Sequence, residues 1–164
     1  MLALAGCDLE IPKENKVDYI PGLIMKGKAE ITKSGVDSIE AYFYPMFGVW
    51  DVDAYLNNEA KESETVASGE GWYSGVHSAH ITMSEGDTLR LEVKPVSGDI
   101  FTPFFETNDG TDYISINPND GNVWGDLATY SGQIYNKTSF EEGITYVFTL
   151  TWSGNVCSYT LGTL

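Results

Sequence analysis

The chain is short of basic residues, short of cysteine and without a long apolar run. Nine Lys and Arg stand against 24 Asp and Glu, for a formal net charge of −15. A surface this acidic repels phosphate backbones, and no basic stripe with interleaved aromatics offsets it, which argues against nucleic-acid binding. The same balance argues against a polybasic attachment to anionic lipid. Two cysteines, Cys7 and Cys157, are too few for a disulfide framework. Each has a context that explains it alone; one long-range disulfide is the alternative. No apolar stretch approaches the roughly 18 residues that span a bilayer. No GxSxG, HExxH or phosphate-gripping glycine loop occurs, so the chain is expected to be non-catalytic.

What the chain does have is aromatic and β-branched. Aromatics make up 13% of its 164 residues, with ten Tyr, seven Phe and four Trp. With the many Thr and Val, this favours strands. The length suits one domain with a core of its own. Ile144, Tyr146, Phe148, Leu150 and Trp152 alternate with Thr and Val, the period of a half-buried strand. Ser153-Gly154-Asn155 turns the chain, and 156–161 returns with Cys157, Tyr159 and Leu161 on one side. Cys157 thus reads as a small buried hydrophobe. Thr88 to Val93 alternates in the same way. Further strands are expected over 23–32, 37–44, 65–73, 77–83, 100–106 and 112–116. A short helix is expected near Ala54 to Glu62. The expected fold is all-β: a single antiparallel β-sandwich or jelly roll over 21–164.

The first seven residues carry a more specific signal. Leu4-Ala5-Gly6-Cys7 resembles the lipobox of bacterial lipoproteins, with small residues before a cysteine. The resemblance implies acylation of Cys7, removal of what precedes it and a lipid-anchored place in a bacterial envelope. Asp8 to Lys16 then serves as a polar tether. Leu2, Leu4, Leu9 and Ile11 are also spaced as in a strand. Residues 1–20 are therefore either this tether or a donor strand that completes a neighbouring copy, as in a fibre, tube or layer. The chain is also loosely similar to extracellular carbohydrate-binding sandwich modules, notably at Gly143-Ile144-Thr145-Tyr146.

Two kinds of site follow from residue types. Sugar rings stack on flat aromatic faces while carboxylates and amides take their hydroxyls. Trp50, Asp51, Asp53, Trp72, Tyr73, Trp124 and Asp126 sit in Gly- and Asp-rich stretches that read as loops, and they are the candidate glycan or envelope-ligand residues. Buried core packing is the competing role for each Trp. Tyr42 and Tyr44 fall on the strand face opposite Ile39, Ala41 and Phe43. Asp51 and Asp53 share a face if extended, as a glycosidase pair or as solvated acids. Asp109, Asp112 and Asp120, in Asn-, Asp- and Gly-rich loops, are the candidate Ca²⁺ ligands, with turn-building the plainer alternative. His77-Ser78-Ala79-His80 has the spacing HxxH; on a regular strand its two rings point to opposite faces.

Overall fold

The computed structural model describes residues 22–68 and 77–164. Within them are twelve strands and no helix, in two antiparallel sheets packed face to face. The strands are β1 (Leu23–Ile31), β2 (Ile39–Pro45), β3 (Val49–Leu56), β4 (Glu59–Ala67), β5 (Ser78–Met83) and β6 (Thr88–Ser97). They continue with β7 (Pro103–Asn108), β8 (Tyr113–Asn117), β9 (Asn122–Gly125), β10 (Ala128–Tyr135), β11 (Tyr146–Ser153) and β12 (Val156–Thr163). The seven-stranded sheet runs β10-β1-β12-β11-β6-β3-β4, and the five-stranded sheet runs β5-β2-β7-β8-β9. This is the β-sandwich expected of the sequence.

Alternation builds the core. On β11, Tyr146, Phe148, Leu150 and Trp152 are buried while Val147, Thr149 and Thr151 face out. Their cross-strand neighbours on β6 and β12, such as Leu91 and Leu161 beside Phe148, are buried too. The other sheet contributes Ile39, Ala41, Phe43, Phe105, Ile114 and Ile116. The Phe148 ring stacks on Phe105 across the interface, with centroids 4.3 Å apart. Cys157 is fully buried, and burial pushes its thiol up to about 12. Ile144 departs from the expected core face: it is 39% exposed, because Gly143 bends the chain and β11 starts two residues later.

Two expectations about local structure are corrected, the helix near Ala54 and the loops around Trp50 and Trp124. The segment Ala54 to Glu62 is no helix but the tip of the β3–β4 hairpin. Asn57 and Asn58 take positive φ values of 52° and 68°, the two-residue turn that matches strand twist. Asn57 also accepts from the Thr88 backbone N–H and donates to Asp87. The expected strand 65–73 is the end of β4; its last residues lie outside those described. The Gly48 to Tyr55 stretch is strand rather than loop, and so is most of 120–130, as β9 and the start of β10.

Candidate functional site

The structure sorts the expected ligand residues onto different surfaces. Trp50 is core: it is wholly buried, its edge meets Phe43 at 5.1 Å and its indole N–H donates to the Phe47 carbonyl at 2.8 Å. A ring enclosed in this way has no face for a ligand, so Trp50 is withdrawn as a platform. Asp51 and Asp53 do share a face of β3, the outer face of the seven-stranded sheet. Asp51 accepts from the Thr65 hydroxyl at 2.7 Å and lies 4.0 Å from Lys94. Both belong to an open polar surface rather than a cleft. Trp72 and Tyr73 lie outside the described residues, as do Cys7 and the alternating leucines before and after it. Trp124 stands 38% exposed on the outer face of the five-stranded sheet. Asp126, just beyond β9, accepts from the Tyr113 backbone N–H at 3.2 Å.

The three acids expected to gather round Ca²⁺ are divided. Asp109 and Asp112 sit in the β7–β8 turn, and Asp120 sits in the β8–β9 turn at the other end of β8. Five residues of strand, about 15 Å, separate them. Lys33 bridges Asp109 and Asp112 at 2.6 and 3.0 Å. The Asp109 carboxylate also accepts the backbone N–H groups of Asp112 and Thr111. Lys33 first, then those N–H groups, hold the Asp109 carboxyl down at about 2. Asp120 caps its own turn by accepting from the Asn122 N–H at 2.9 Å. Among the described residues no three His, Cys, Asp or Glu side chains are placed to hold one metal ion.

A different set of side chains converges on the outer face of the five-stranded sheet. Register sets a row across it: Tyr42 on β2 lies beside Glu106 on β7, then Ser115 on β8, then Trp124 on β9. Three inter-strand steps place Tyr42 and Trp124 about 14 Å apart. Between them the Glu106 carboxylate accepts from the Tyr42 hydroxyl at 2.8 Å and from the Ser115 hydroxyl at 2.9 Å. Burial, and then the Glu106 carboxylate, push the Tyr42 phenol well above its ordinary value. The Trp124 ring leans back over β8 to meet Phe104 edge-on at 5.8 Å.

The two histidines complete the far end of this row, against the parity expected of a strand. Ala79 has a φ of +59°, and the pairing of β5 with β2 slips between Ala41 and Phe43. A bulge of this kind adds one residue and reverses which face the next side chain takes. His77 and His80 therefore lie together, with ring centroids 5.7 Å apart. The Tyr42 ring packs 4.6 Å from His77 and 4.7 Å from His80, nearly parallel to the latter. His77 also meets Tyr44 edge-on at 4.2 Å. Burial lowers the His77 pKa, the Glu106 carboxylate opposes this, and His80 adds to it. His80 Nδ1 lies 3.2 Å from the Glu40 carboxylate. A cleft of about 410 Å³ opens beside the pair, lined by Glu62, Ser63 and Glu64 of β4 with His77, Ser78, Ala79 and His80. Glu64 accepts from the Ser78 hydroxyl.

Of these residues, sequence reasoning marked Trp124 and set Tyr42 and Tyr44 on the face opposite the core. It missed Glu106 and Ser115 and separated the histidines. Alternation through Phe104-Phe105-Glu106 held the first signal, because a core Phe105 sends Glu106 outward. Comparison of the chain with protein-family models, with curated proteins and with solved structures finds no match.

Proposed function

We propose that this is a non-catalytic saccharide-binding domain of the bacterial cell envelope, and that its ligand lies along the outer face of the five-stranded sheet. One observation carries the reading: an exposed indole and an exposed imidazole pair end a row whose middle is the Glu106 carboxylate. Rings at either end offer stacking faces, and a fixed acceptor between them takes sugar hydroxyls. The spacing suits a short oligosaccharide. Cys7, acylated as the lipobox resemblance implies, tethers the domain to its membrane. The test is calorimetric titration of the soluble domain with a panel of oligosaccharides, on wild type, Trp124→Ala and Glu106→Gln. Binding that both substitutions weaken supports the proposal; a panel with no binder ends it. Release of shorter sugars during incubation shows catalysis and also ends it. Mass spectrometry of membrane fractions showing an unmodified Cys7 removes the anchor.

A second reading, a fibre or layer subunit, is favoured by one feature of the sheet edges. Among the described residues β10 is an edge strand, eight residues long and without a single charged side chain, in a chain of net charge −15. The opposite edge, β4, carries Glu59, Lys61, Glu62 and Glu64, the usual guard against strand addition. A donor segment from residues 1–11 of another copy would pair with β10. Intact, non-acylated protein that sediments as a monomer at high concentration overturns this reading. Polymers that vanish on deletion of residues 1–11 support it.

A further inference from the structure

The charge on the proposed binding face narrows the kind of sugar it takes, and this step rests on the saccharide reading above. The strands β5, β2, β7, β8 and β9 contain no lysine and no arginine. Their two carboxylates, Glu40 and Glu106, both point outward, since Ala41, Phe43 and Phe105 fill the core side. Glu106 is held by two neutral hydroxyls, which orient its charge without cancelling it. Glu40 reaches His80, which compensates it only when protonated. Across the cleft, β4 adds Glu62 and Glu64, the latter held by the Ser78 hydroxyl. Ring faces and uncancelled carboxylates thus alternate over one surface. Aromatic faces attract cations through their quadrupoles, and carboxylates attract them directly. A uronic or sulfated sugar meets repulsion on the same surface. The whole-chain charge also steers cations inward from a distance.

We propose that the ligand is an amine-bearing saccharide, one with free amino-sugar units, whose ring stacks at Trp124 or the imidazole pair and whose ammonium pairs with Glu106 or Glu40. N-acetylation leaves the ring and removes the charge, which makes it the discriminating change.

The experiment is titration calorimetry of the full domain with a glucosamine tetramer, its fully N-acetylated form, a glucose tetramer and spermine. The free-amine tetramer is expected to bind about tenfold or more tightly than the N-acetylated one, a gain of the size cation–π and charge pairing supply. That advantage shrinks in high salt, because the carboxylates are partly exposed. Glu106→Gln and Glu40→Gln should each lower affinity for the free-amine tetramer more than for the N-acetylated one. Circular dichroism and melting check that the variants fold. Equal binding of the charged and acetylated tetramers overturns the amine preference and leaves the saccharide reading standing. Spermine binding as tightly as the amino tetramer overturns it too, since the face then reads charge without sugar. Failure of every tetramer to bind removes both.

Discussion

Replacing Phe148 by Ala tests whether the two sheets are held as described. The ring is 2% exposed on a central strand of the seven-stranded sheet. Its flanking partners, Leu91 and Leu161, are fixed by backbone pairing on β6 and β12. Phe105 stacks on it from the opposite sheet, 13° from parallel. None of these neighbours can move far to fill the space, so the cavity persists. Loss of transfer energy plus an unrelaxed cavity costs about 3–5 kcal/mol for a buried Phe. The lost ring pair contributes roughly 0.5–1.5 kcal/mol of that kind of stabilisation. For a domain of this length, each kcal/mol lowers Tm by about 2–4 °C, so a fall of roughly 6–20 °C is expected. Urea unfolding followed by tryptophan fluorescence gives the free energy directly, with Thr149→Ala on the outer face as control. A loss below about 1 kcal/mol for Phe148→Ala refutes the packing argument, because it places the ring at a site that collapses or is solvated.

Three further outcomes follow from other contacts. Because burial lowers the His77 pKa, protonation opposes folding: stability is full above about pH 6.5 and declines as pH falls through the lower folded value. The groups facing or lining its surroundings are Tyr42, Tyr44, His80, Glu106, Glu62 and Glu64, with Glu40 reached through His80; urea midpoints from pH 7.5 to 5 should fall less steeply in His77→Gln than in wild type, and identical slopes reject the argument. Lys33→Ala should move acid unfolding to higher pH, since the depressed Asp109 carboxyl contributes stability that is full above about pH 4 and is lost as pH falls through about 2; an unchanged acid midpoint, read by circular dichroism, counts against it. Gly27→Ala should cost about 1–3 kcal/mol, because a Cβ there runs into the hydroxyl end of the buried Tyr159 ring, which must shift from its packed position; wild-type melting in that variant sinks the prediction.

The legibility of the fold followed the clarity of alternation. β11 and β12 were readable because buried apolar residues recur at every second position, with mostly Thr and Ser between them. The β3–β4 hairpin was not. Its edge strand buries one side chain in nine, so Glu59-Ala60-Lys61-Glu62 has the look of a solvated helix. Only pairing with β3 makes it a strand. Trp50 was misread for a related reason: its neighbours Gly48, Asp51 and Asp53 look like a loop, yet the two acids are simply the outer face of a strand whose inner face is Trp50, Val52 and Ala54. The site was legible only in parts. Tyr42 and Trp124 could be marked as rings off the core, but their common row depends on register between strands far apart in sequence. The histidine pair depends on one bulge at an alanine, a residue with no compositional signal for positive φ.

The position of β1 sets the order in which the domain can form. The first described strand is not at an edge: it lies between β10 and β12, which come late in the chain. Glu30 on β1 and Asn155, just before β12, are hydrogen-bonded although 125 residues apart. Closing a loop that long costs roughly 4 kcal/mol in chain entropy before any contact returns it. The local hairpins β3–β4 and β11–β12 form without that cost, but adding β1 to β12 requires it, and folding should fall in the millisecond-to-second range of non-local β topologies. A chain emerging from a ribosome therefore cannot complete the pairing of β1 until β10 and then β12 have arrived. Loss of the last strand would leave β1 paired on one side only, so a truncation at the C-terminus acts on the N-terminus.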